Sequence, residues 1–438
     1  MKFQNPKGTR DFYPEDMAVL NWIMDGWRRV SLRNGFEEYE GPIFEYLDLY
    51  KAKSGEGIVS ELFHFEDRGG RALAIRPEMT PTLARMVAAR AQSLPRPIKW
   101  FTLPRLCRAE RPQRGRLREF FQWNADILGA DEVLADAECI FTALDFFREA
   151  GLTPADVVMK INSRSLLAAL LESRGFAAGR HAELFAVLDK RDKLPEEAFV
   201  ESVRKVVRGD GELETLLAIG RAEGPAGLAA MADLAAGNAA AQAELARLRE
   251  LLDMLAVMGV ADYCTFSMGV VRGLAYYTGV VFEGFARRGL ARALCGGGRY
   301  GNLLEALGGP AMSGVGFGTS DVVILDVLTE LGRAPRAVER GGRPEVFLID
   351  ADPARFREVL RLAGRLRQGG VRAGFSYRRQ SLGRQIKQAA AAGAARAVIV
   401  GDEFVERGAL VVKDLTSGRQ WEKPAEAFVA DPLKNELV

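Results

Sequence analysis

Histidine is nearly absent from this chain, which contains only His64 and His181 among its 438 residues. Neither stands beside a cysteine or a carboxylate cluster with the spacing of metal ligands. The sequence therefore favours neither a zinc site nor a Ser/His/Asp triad, and we predict no metal bound by a protein motif. His64, in the run ELFHF, is most simply a strand residue.

Cysteine is also scarce, and its spacing carries no motif. The four cysteines are Cys107, Cys139, Cys264 and Cys295. Because they form no CxxC pair and the chain shows no secretory leader, we expect buried thiols in a reducing compartment, which predicts a cytoplasmic protein.

A strong net charge and a long apolar run are missing as well. The formal net charge is +2, so any contact with nucleic acid must use local basic patches. No apolar run approaches about 18 residues, so we expect no membrane span. A hydrophobic content of 48% over 438 residues predicts two or three folded domains.

The stretch from Lys99 to Gly129 predicts a strand, a loop and a second strand. Two glutamates, Glu110 and Glu119, offset only part of the positive charge of this basic hairpin. Such a loop favours binding of an anion. Its arginines are Arg108, Arg111, Arg114, Arg116 and Arg118.

The second strand of the basic hairpin alternates between two kinds of side chain, as the period of a strand requires. One face is expected to join the core, and the other is expected to form the wall of a pocket. An exposed nucleic-acid-binding hairpin is the alternative. The core face carries Phe121, Trp123, Ala125 and Ile127, and the pocket face carries Phe120, Gln122, Asn124 and Asp126.

Elsewhere the hydrophobic pattern predicts a helix over Glu15–Asn34, followed by a strand in GFEEYEGPIFEY. Pro42 gives that strand an edge or interface position. The runs ELFHFED and ALAIRPEMT predict a hairpin that leads into a helix over Pro81–Ala91. A helix over Asp131–Ala150 is predicted next, and residues 166–255 are Ala- and Leu-rich and predict an inserted helical domain.

Three residues stand where the second strand of the early hairpin meets a helix: Arg76, Glu78 and Thr80. A carboxylate and a hydroxyl at such a junction can reach a ligand above the sheet. The alternative is that Thr80 is only the N-cap of the helix that begins at Pro81.

Arg272 lies in a β-rich apolar run, between Val271 and Gly273, and Tyr276 and Tyr277 follow it. A lone arginine in an apolar strand is costly unless a negative charge pairs with it. A ligand phosphate or carboxylate is favoured over a structural ion pair. The later run CGGGRYGN lets a ligand or side chain approach the backbone closely.

The last hundred residues alternate strands and helices and predict a small α/β domain with a mainly parallel sheet. A basic cluster follows one of its strands, either as a solvated face or as a nucleic-acid contact. The cluster contains Arg378, Arg379, Arg384 and Lys387.

Taken together, these segments resemble a class II aminoacyl-tRNA synthetase over nearly the whole length, and RGLAYYTG and CGGGRY are similar to motifs of histidyl-tRNA synthetases. The resemblance implies an α+β catalytic domain with an antiparallel sheet and helices, a helical insertion, and a C-terminal α/β anticodon-binding-like domain. The expected boundaries are 1–165 and 259–331 for the two catalytic parts, 166–258 for the insertion, 332–343 for a linker and 344–438 for the last domain.

The resemblance further implies a histidine–tRNA ligase that uses ATP with Mg²⁺, L-histidine and tRNA(His) and forms a homodimer through the segment around Pro42. Arg108 and Arg272 would stabilise charge at the α-phosphate. ATP would also meet Glu110, Arg116 and Phe120. The residues that match histidine-binding positions are Glu78, Thr80, Gln122, Asp126, Tyr276 and Tyr277. Arg378 and Arg379 would contact tRNA.

The sequence departs from the family pattern in two places. Val322 and Val323 stand where the third class II motif usually carries an arginine, and Ala275 and Gly301 stand where aspartates are common. The alternative function is a synthetase-like regulatory subunit of ATP phosphoribosyltransferase, which binds histidine without charging tRNA. A plain RNA-binding protein would leave the polar row of the hairpin and Arg272 unexplained.

Overall fold

The computed structural model describes residues 3–191, 194–272, 277–289, 293–335, 342–378 and 380–434. The chain forms two compact units, Met1–Pro335 and Arg336–Val438. Part of the predicted linker lies outside the described residues. The first unit contains the segment predicted as a helical insertion, whose status as a separate domain remains a prediction.

The described strands of the first unit form one large sheet and one small sheet. They are β1 (Glu37–Glu38), β2 (Phe44–Tyr46), β3 (His64–Glu66), β4 (Ala72–Ile75), β5 (Ile98–Thr102), β6 (Arg105–Cys107), β7 (Glu119–Leu128), β8 (Val157–Ser163), β9 (Cys264–Phe266), β10 (Val280–Ala286), β11 (Ala293–Tyr300) and β12 (Gly314–Ser320).

The helices predicted over Glu15–Asn34, Pro81–Ala91 and Asp131–Ala150 begin within two residues of those positions. The described helices of the first unit follow in chain order. They are α1 (Pro14–Arg33), α2 (Leu47–Ser54), α3 (Thr80–Arg90), α4 (Val133–Glu149), α5 (Arg164–Ser173), α6 (His181–Leu188), α7 (Glu196–Arg204), α8 (Asp210–Arg221), α9 (Gly224–Leu234), α10 (Ala239–Val257), α11 (Leu303–Ala306) and α12 (Asp321–Glu330).

The large sheet has the order β1-β5-β7-β12-β11-β10-β8-β9, with β6 paired to β7. Its central pairs are antiparallel, and the pairs β1–β5 and β8–β9 at its two ends are parallel. This arrangement confirms the predicted fold class. The basic hairpin therefore lies in the middle of the sheet, where both neighbours of β7 fix its register.

One face of β7 packs against helices, as the alternation predicted. Trp123, Ala125 and Ile127 are buried in the core, whereas Phe121, which was expected there too, is only partly buried. Trp123 stacks on Trp27 of α1 with 6.2 Å between ring centroids, and its indole N–H donates to Ser31 Oγ at 2.9 Å. Full burial of such a side chain contributes about 1.5–3 kcal/mol. Because this face is occupied by α1 and α4, the opposite face of β7 is left for polar side chains.

Two expectations about the first unit were wrong. The segment GFEEYEGPIFEY is two short strands, β1 and β2, rather than one, and Pro42 lies in the break between them. Proline lacks the N–H that a continuous ladder needs, so the chain changes from the large sheet to the small sheet β2-β4-β3 there. Cys139 and Cys295 are buried as expected, but Cys107 and Cys264 are partly exposed.

The second unit contains a five-stranded sheet with the strand order β14 (Ala373–Phe375), β13 (Val346–Asp350), β15 (Arg396–Val400), β16 (Ala409–Asp414) and β17 (Gln420–Pro424). Two of its strand pairs are parallel and two are antiparallel, so the expectation of a mainly parallel sheet was wrong. The antiparallel part arises because β16 and β17 form a hairpin at one edge. The described α-helices are α13 (Phe356–Gln368), α14 (Leu382–Ala391), α15 (Asp402–Arg407) and α16 (Ala425–Ala430).

Every helix among the described residues is too short or too polar to span a lipid bilayer.

Candidate active site

A small cavity of about 160 Å³ lies against the polar face of β7. It gathers every described residue that the sequence assigned to histidine binding. Tyr276 lies outside the described residues. The cavity is lined by Glu78, Thr80, Gln122, Asn124, Asp126 and Tyr277, together with Arg108, Arg272, Tyr300 and four residues of the glycine-rich strands β11 and β12.

Thr80 faces this cavity and is not the N-cap of its helix. Helix α3 starts at Thr80, and Met79 occupies the N-cap position without a side-chain hydrogen bond. The alternative interpretation of Thr80 as a cap was therefore wrong. Its hydroxyl remains available to the cavity, beside the carboxylate of Glu78.

Asp126 is the deepest charged group of the small cavity, with 4% of its surface exposed. The Tyr300 hydroxyl, also buried, donates a hydrogen bond of 2.7 Å to Asp126 Oδ1. On the neighbouring strand, a Cβ at Gly316 would overlap the Asp126 carboxylate. Tyr300 thus orients the Asp126 carboxylate, and Gly316 on β12 leaves the space that the carboxylate occupies.

A larger cleft of about 720 Å³ adjoins the small cavity. Arg108, Arg116 and Phe120 of the basic hairpin line it, and Val322 and Val323 lie on the wall formed by α12. The two spaces share the lining residues Arg108, Gln122, Arg272, Gly296 and Gly318. A larger and a smaller ligand bound there would therefore meet between two arginines.

Contacts within the protein hold the Arg108 side chain. Its Nε donates to the Pro77 carbonyl at 3.1 Å, and its guanidinium lies 5.1 Å from the centre of the Phe120 ring. Burial lowers the pKa of Arg108, while Glu78 and Glu110 act in the opposite direction. The group still carries its charge at neutral pH, because an arginine pKa lies far above 7.

Glu110 forms an ion pair with Arg116 beside the larger cleft. Two arginines of the basic hairpin, Arg108 and Arg116, line the larger cleft. Arg116 is the more accessible of the two, because its side chain is 39% exposed. An anion that binds there competes with Glu110 for the Arg116 guanidinium.

Arg272 lies in the loop between β9 and β10, and not in a strand as the sequence suggested. Its φ is 54°, and it has the one positive φ among the described non-glycine residues. The left-handed conformation costs about 1–2 kcal/mol for a residue with a side chain. Arg272 Nη1 lies 3.3 Å from Glu283 Oε1, and its guanidinium lies 5.6 Å from the Tyr277 ring centre. It has an ion-pair partner and also lines both spaces.

Gly296 makes room for Arg272. A Cβ at Gly296 would overlap Nη1 and Cζ of the Arg272 guanidinium, so any other residue there would displace the side chain. The close approach of Arg272 explains why the first residue after the cysteine in CGGGRY, Gly296, is a glycine. The sequence alone indicated only that some group could approach the backbone there.

The N-terminal arm braces the basic hairpin from its other side. Arg10 pairs with Asp321 at 2.7 Å, and the same carboxylate accepts a 2.9 Å hydrogen bond from the backbone N–H of Phe121. The carbonyl of Gly8 accepts the N–H of Arg118 at 2.8 Å. Asp321 is buried, and burial raises its pKa while Arg10 lowers it. These contacts hold β7 against the start of α12.

Comparison with known proteins agrees with this geometry. Residues 8–321 match the family model for histidyl-tRNA synthetase, and residues 345–434 match that for an anticodon binding domain. The chain belongs to the histidyl-tRNA synthetase family.

Curated relatives in the histidyl-tRNA synthetase family match nearly the whole chain. The chloroplastic/mitochondrial histidine–tRNA ligase of Arabidopsis thaliana is 38% identical over 95% of this chain and 84% of its own length. The histidine–tRNA ligase of Opitutus terrae is 36% identical over 98% of this chain and 97% of its own length.

Solved structures show the same fold. A histidyl-tRNA synthetase from Nostoc superposes with a TM-score of 0.82 at 22% identity, covering 99% of this chain and 100% of that one. A Bacillus halodurans structure, titled ATP phosphoribosyltransferase regulatory subunit/histidyl-tRNA synthetase, gives 0.74 at 24% identity, covering 92% of this chain and 99% of that one.

The sequence placed Asn124 on the pocket face of β7 without giving it a ligand, and the structure finds it in the lining of the small cavity. Sequence reasoning missed Tyr300, which also lines this cavity. Tyr300 contacts Asp126 across 174 residues of sequence, and only its place in CGGGRY pointed to it. Of the family departures, Val322 and Val323 line the larger cleft, whereas Ala275 lies outside the described residues.

Replacing Tyr300 with phenylalanine tests the small cavity. The Tyr300→Phe variant should bind L-histidine about tenfold more weakly in isothermal titration calorimetry, because a hydrogen bond to a charged group contributes about 1.5–3 kcal/mol. Tyr39→Phe is the matched control. The Tyr39 hydroxyl is also buried. Its pKa is raised, mainly by burial and also by the charge of Asp126. Unlike the Tyr300 hydroxyl, it has no hydrogen-bond partner among the described residues. Equal histidine affinities for the two variants would contradict the assignment.

Proposed function

We propose that the protein is a histidine–tRNA ligase (EC 6.1.1.21). It activates L-histidine with ATP to give histidyl-adenylate and pyrophosphate, and it then transfers histidine to the 3′ end of tRNA(His). The observation that carries this proposal is the junction of the two spaces at Arg108 and Arg272. Full-length relatives named histidine–tRNA ligase support it.

Histidine fits the small cavity by charge. Glu78 offers a carboxylate for the α-amino group, and Asp126 with Tyr277 offers a carboxylate and a hydroxyl for the two ring nitrogens. A pocket that must hydrogen-bond its substrate rejects analogues without those groups by about 10⁴ or more. Thr80 and Gln122 complete the polar lining, and the amino acid carboxylate then faces Arg272.

ATP, with Mg²⁺ as part of the substrate, occupies the larger cleft in this proposal. Phe120 stacks on adenine near Glu110, Arg108 binds the α-phosphate, and Arg116 exchanges Glu110 for the terminal phosphates. Val322 and Val323 present methyl groups where other class II enzymes place an arginine, so phosphate binding rests more heavily on Arg108 and Arg116.

In the reaction, a histidine carboxylate oxygen attacks the α-phosphorus while the bond from that phosphorus to pyrophosphate breaks. Negative charge develops on the α-phosphate oxygens, between the fixed guanidinium groups of Arg108 and Arg272. Preorganised positive charge at this point lowers the barrier, because it is not reorganised during the reaction.

Histidine-dependent exchange of labelled pyrophosphate into ATP, with Mg²⁺ present, tests this activity. The Arg272→Ala variant should exchange about 10² times more slowly than wild type, since it loses one charge at the transition state, while its circular dichroism spectrum stays unchanged. Absence of exchange by the folded wild-type protein would refute the ligase. An unchanged rate in Arg272→Ala would remove Arg272 from the mechanism.

The regulatory-subunit alternative has less support. A subunit that only senses histidine has no chemical use for arginines at the junction with a second, larger cleft. It also has no need of residues 345–434, which match an anticodon binding domain. The Bacillus halodurans likeness is 24% identical and establishes the fold alone.

For tRNA, the proposal uses the loop between β14 and α14. Tyr377 is 88% exposed and lies 5.6 Å from the ring of Phe375. The loop is held in shape because Ser376 Oγ donates to the Arg378 carbonyl at 2.7 Å and Gln385 Nε2 donates to the Gln380 carbonyl at 2.8 Å. An exposed ring beside Arg378 suits an unpaired base and its phosphate. Arg379 lies outside the described residues.

The Tyr377→Ala variant should raise the KM for tRNA(His) in aminoacylation by about fivefold or more, since stacking on a base contributes about 1–3 kcal/mol. Pyrophosphate exchange should stay at the wild-type rate. Arg419→Ala serves as control, because Arg419 is exposed at the β16–β17 turn, near the amino end of β15. The loop would lose its proposed role if Tyr377→Ala and Arg419→Ala gave the same KM.

The proposal includes a cytoplasmic homodimer. The small sheet beside Pro42 exposes a cluster of large apolar side chains, and Phe44 and Phe65 pack edge to face with 6.2 Å between centroids. Such clusters on a soluble domain mark interaction surfaces. The exposed side chains are Ile43, Phe44, Tyr46, Phe63 and Phe65.

Phe44→Glu should convert a dimer into a monomer in sedimentation equilibrium, because a charge in an apolar interface is costly to bury. Val257→Glu provides the control, since Val257 is 90% exposed on α10 and lies outside this cluster. A wild-type monomer would contradict the dimer, and an undisturbed Phe44→Glu dimer would place the interface elsewhere.

A further inference from the structure

The backbone of Arg272 has an unfavourable conformation. Its φ of 54° is unfavourable for a residue with a side chain, so the surrounding structure must hold this conformation. Ion pairing with Glu283 and the space at Gly296 locate the guanidinium but do not hold the peptide. The peptide is held by a different residue.

Arg164, the first residue of α5, supplies that contact. Its Nη1 donates a 2.9 Å hydrogen bond to the carbonyl oxygen of Arg272. The backbone N–H of Arg164 donates to the Gly279 carbonyl at 2.9 Å, so Arg164 is anchored to the strand that follows the Arg272 loop. The two contacts join α5 to both sides of the segment that carries Arg272.

The side chain of Arg164 is itself held by the helical insertion. Its guanidinium lies 4.9 Å from the ring centre of Phe185 on α6. Asp189, which follows α6 directly, lines the larger cleft together with Arg272. Burial lowers the pKa of Arg164, and the charge of Asp189 and the hydroxyl of Tyr277 raise it. Arg164 thus connects α6 to the loop that carries Arg272.

We infer that Arg164 is a positioning residue for Arg272. It fixes the Arg272 carbonyl, which keeps the peptide in the left-handed conformation that places the guanidinium over Gly296, at the junction of the two spaces. Through Phe185, the helical insertion becomes part of the adenylation site. This inference rests on the proposed ligase activity for its kinetic test.

The kinetic test is a double-mutant cycle in histidine-dependent pyrophosphate exchange. Arg164→Ala should lower kcat by about 10- to 10²-fold, the loss expected when a catalytic group is misplaced by about 1 Å. KM for histidine and for ATP should change by less than about twofold. Adding Arg164→Ala to Arg272→Ala should slow exchange by less than about a further twofold, because Arg164 then has nothing left to position.

Arg164→Lys should recover part of the kcat, because an ammonium group can donate to the same carbonyl but cannot lie flat on Phe185. Arg180→Ala is the matched control. Arg180 is an arginine of the insertion that, like Arg164, lies over a phenylalanine ring, 5.6 Å from the centre of Phe176. It donates to the carbonyl of Val206, and it lines neither of the two spaces. Exchange by Arg180→Ala should match wild type.

A second readout is independent of activity. Trypsin cleavage after Arg272, followed by mass spectrometry on the full-length protein, should be at least about fivefold faster in Arg164→Ala than in wild type or Arg180→Ala. Equal cleavage rates would overturn the inference. It would also be overturned if the loss of kcat in the double variant equalled the product of the losses in Arg164→Ala and Arg272→Ala. Absence of exchange by wild type would instead refute the ligase activity, and the cleavage rates alone would then decide the role of Arg164.

Discussion

The close approach of charged side chains to bare backbone is the constraint on which the site depends. Arg272 occupies the space where Gly296 has no side chain, and Asp126 does the same over Gly316. These glycines lie on adjacent antiparallel strands in the middle of the large sheet. An arginine and a carboxylate from distant parts of the sequence can therefore lie flat on one sheet face, with room for a ligand above them.

The same sheet explains why the two spaces adjoin. On strand β7, Phe120 lines the larger cleft, Asp126 lines the small cavity, and Gln122 between them lines both. Rigid support comes from behind, where Trp123 packs on Trp27 and Asp321 accepts the Phe121 N–H. Each pocket residue of β7 thus has a neighbour in sequence that is fixed on the opposite face. Support of this kind limits side-chain motion that would move the pocket residues out of position.

The sequence was a good guide wherever local periodicity determines structure. The alternation in β7, the helix at the N-terminal end and the helical character of residues 166–255 follow from side-chain spacing, and the fold confirmed them. It failed where a distant segment determines the outcome. The φ of Arg272 depends on Arg164, the orientation of Asp126 depends on Tyr300, and neither partner is near in sequence. Pro42 was identified in the sequence, but the sequence did not predict that the chain leaves the large sheet there and enters the small one.

The period-two pattern of β7 also restricts how this chain can change in length. Inserting or deleting one residue between Phe120 and Asp126 would turn every later side chain to the other face, so that Trp123 or its neighbours would point into the cavity and the polar row into the core. The hairpin loop at residues 109–118 carries no such alternation and lies outside the central ladder. Insertions and deletions among homologous chains are therefore expected in the loop. The length of β7 should stay constant even where its residues are substituted.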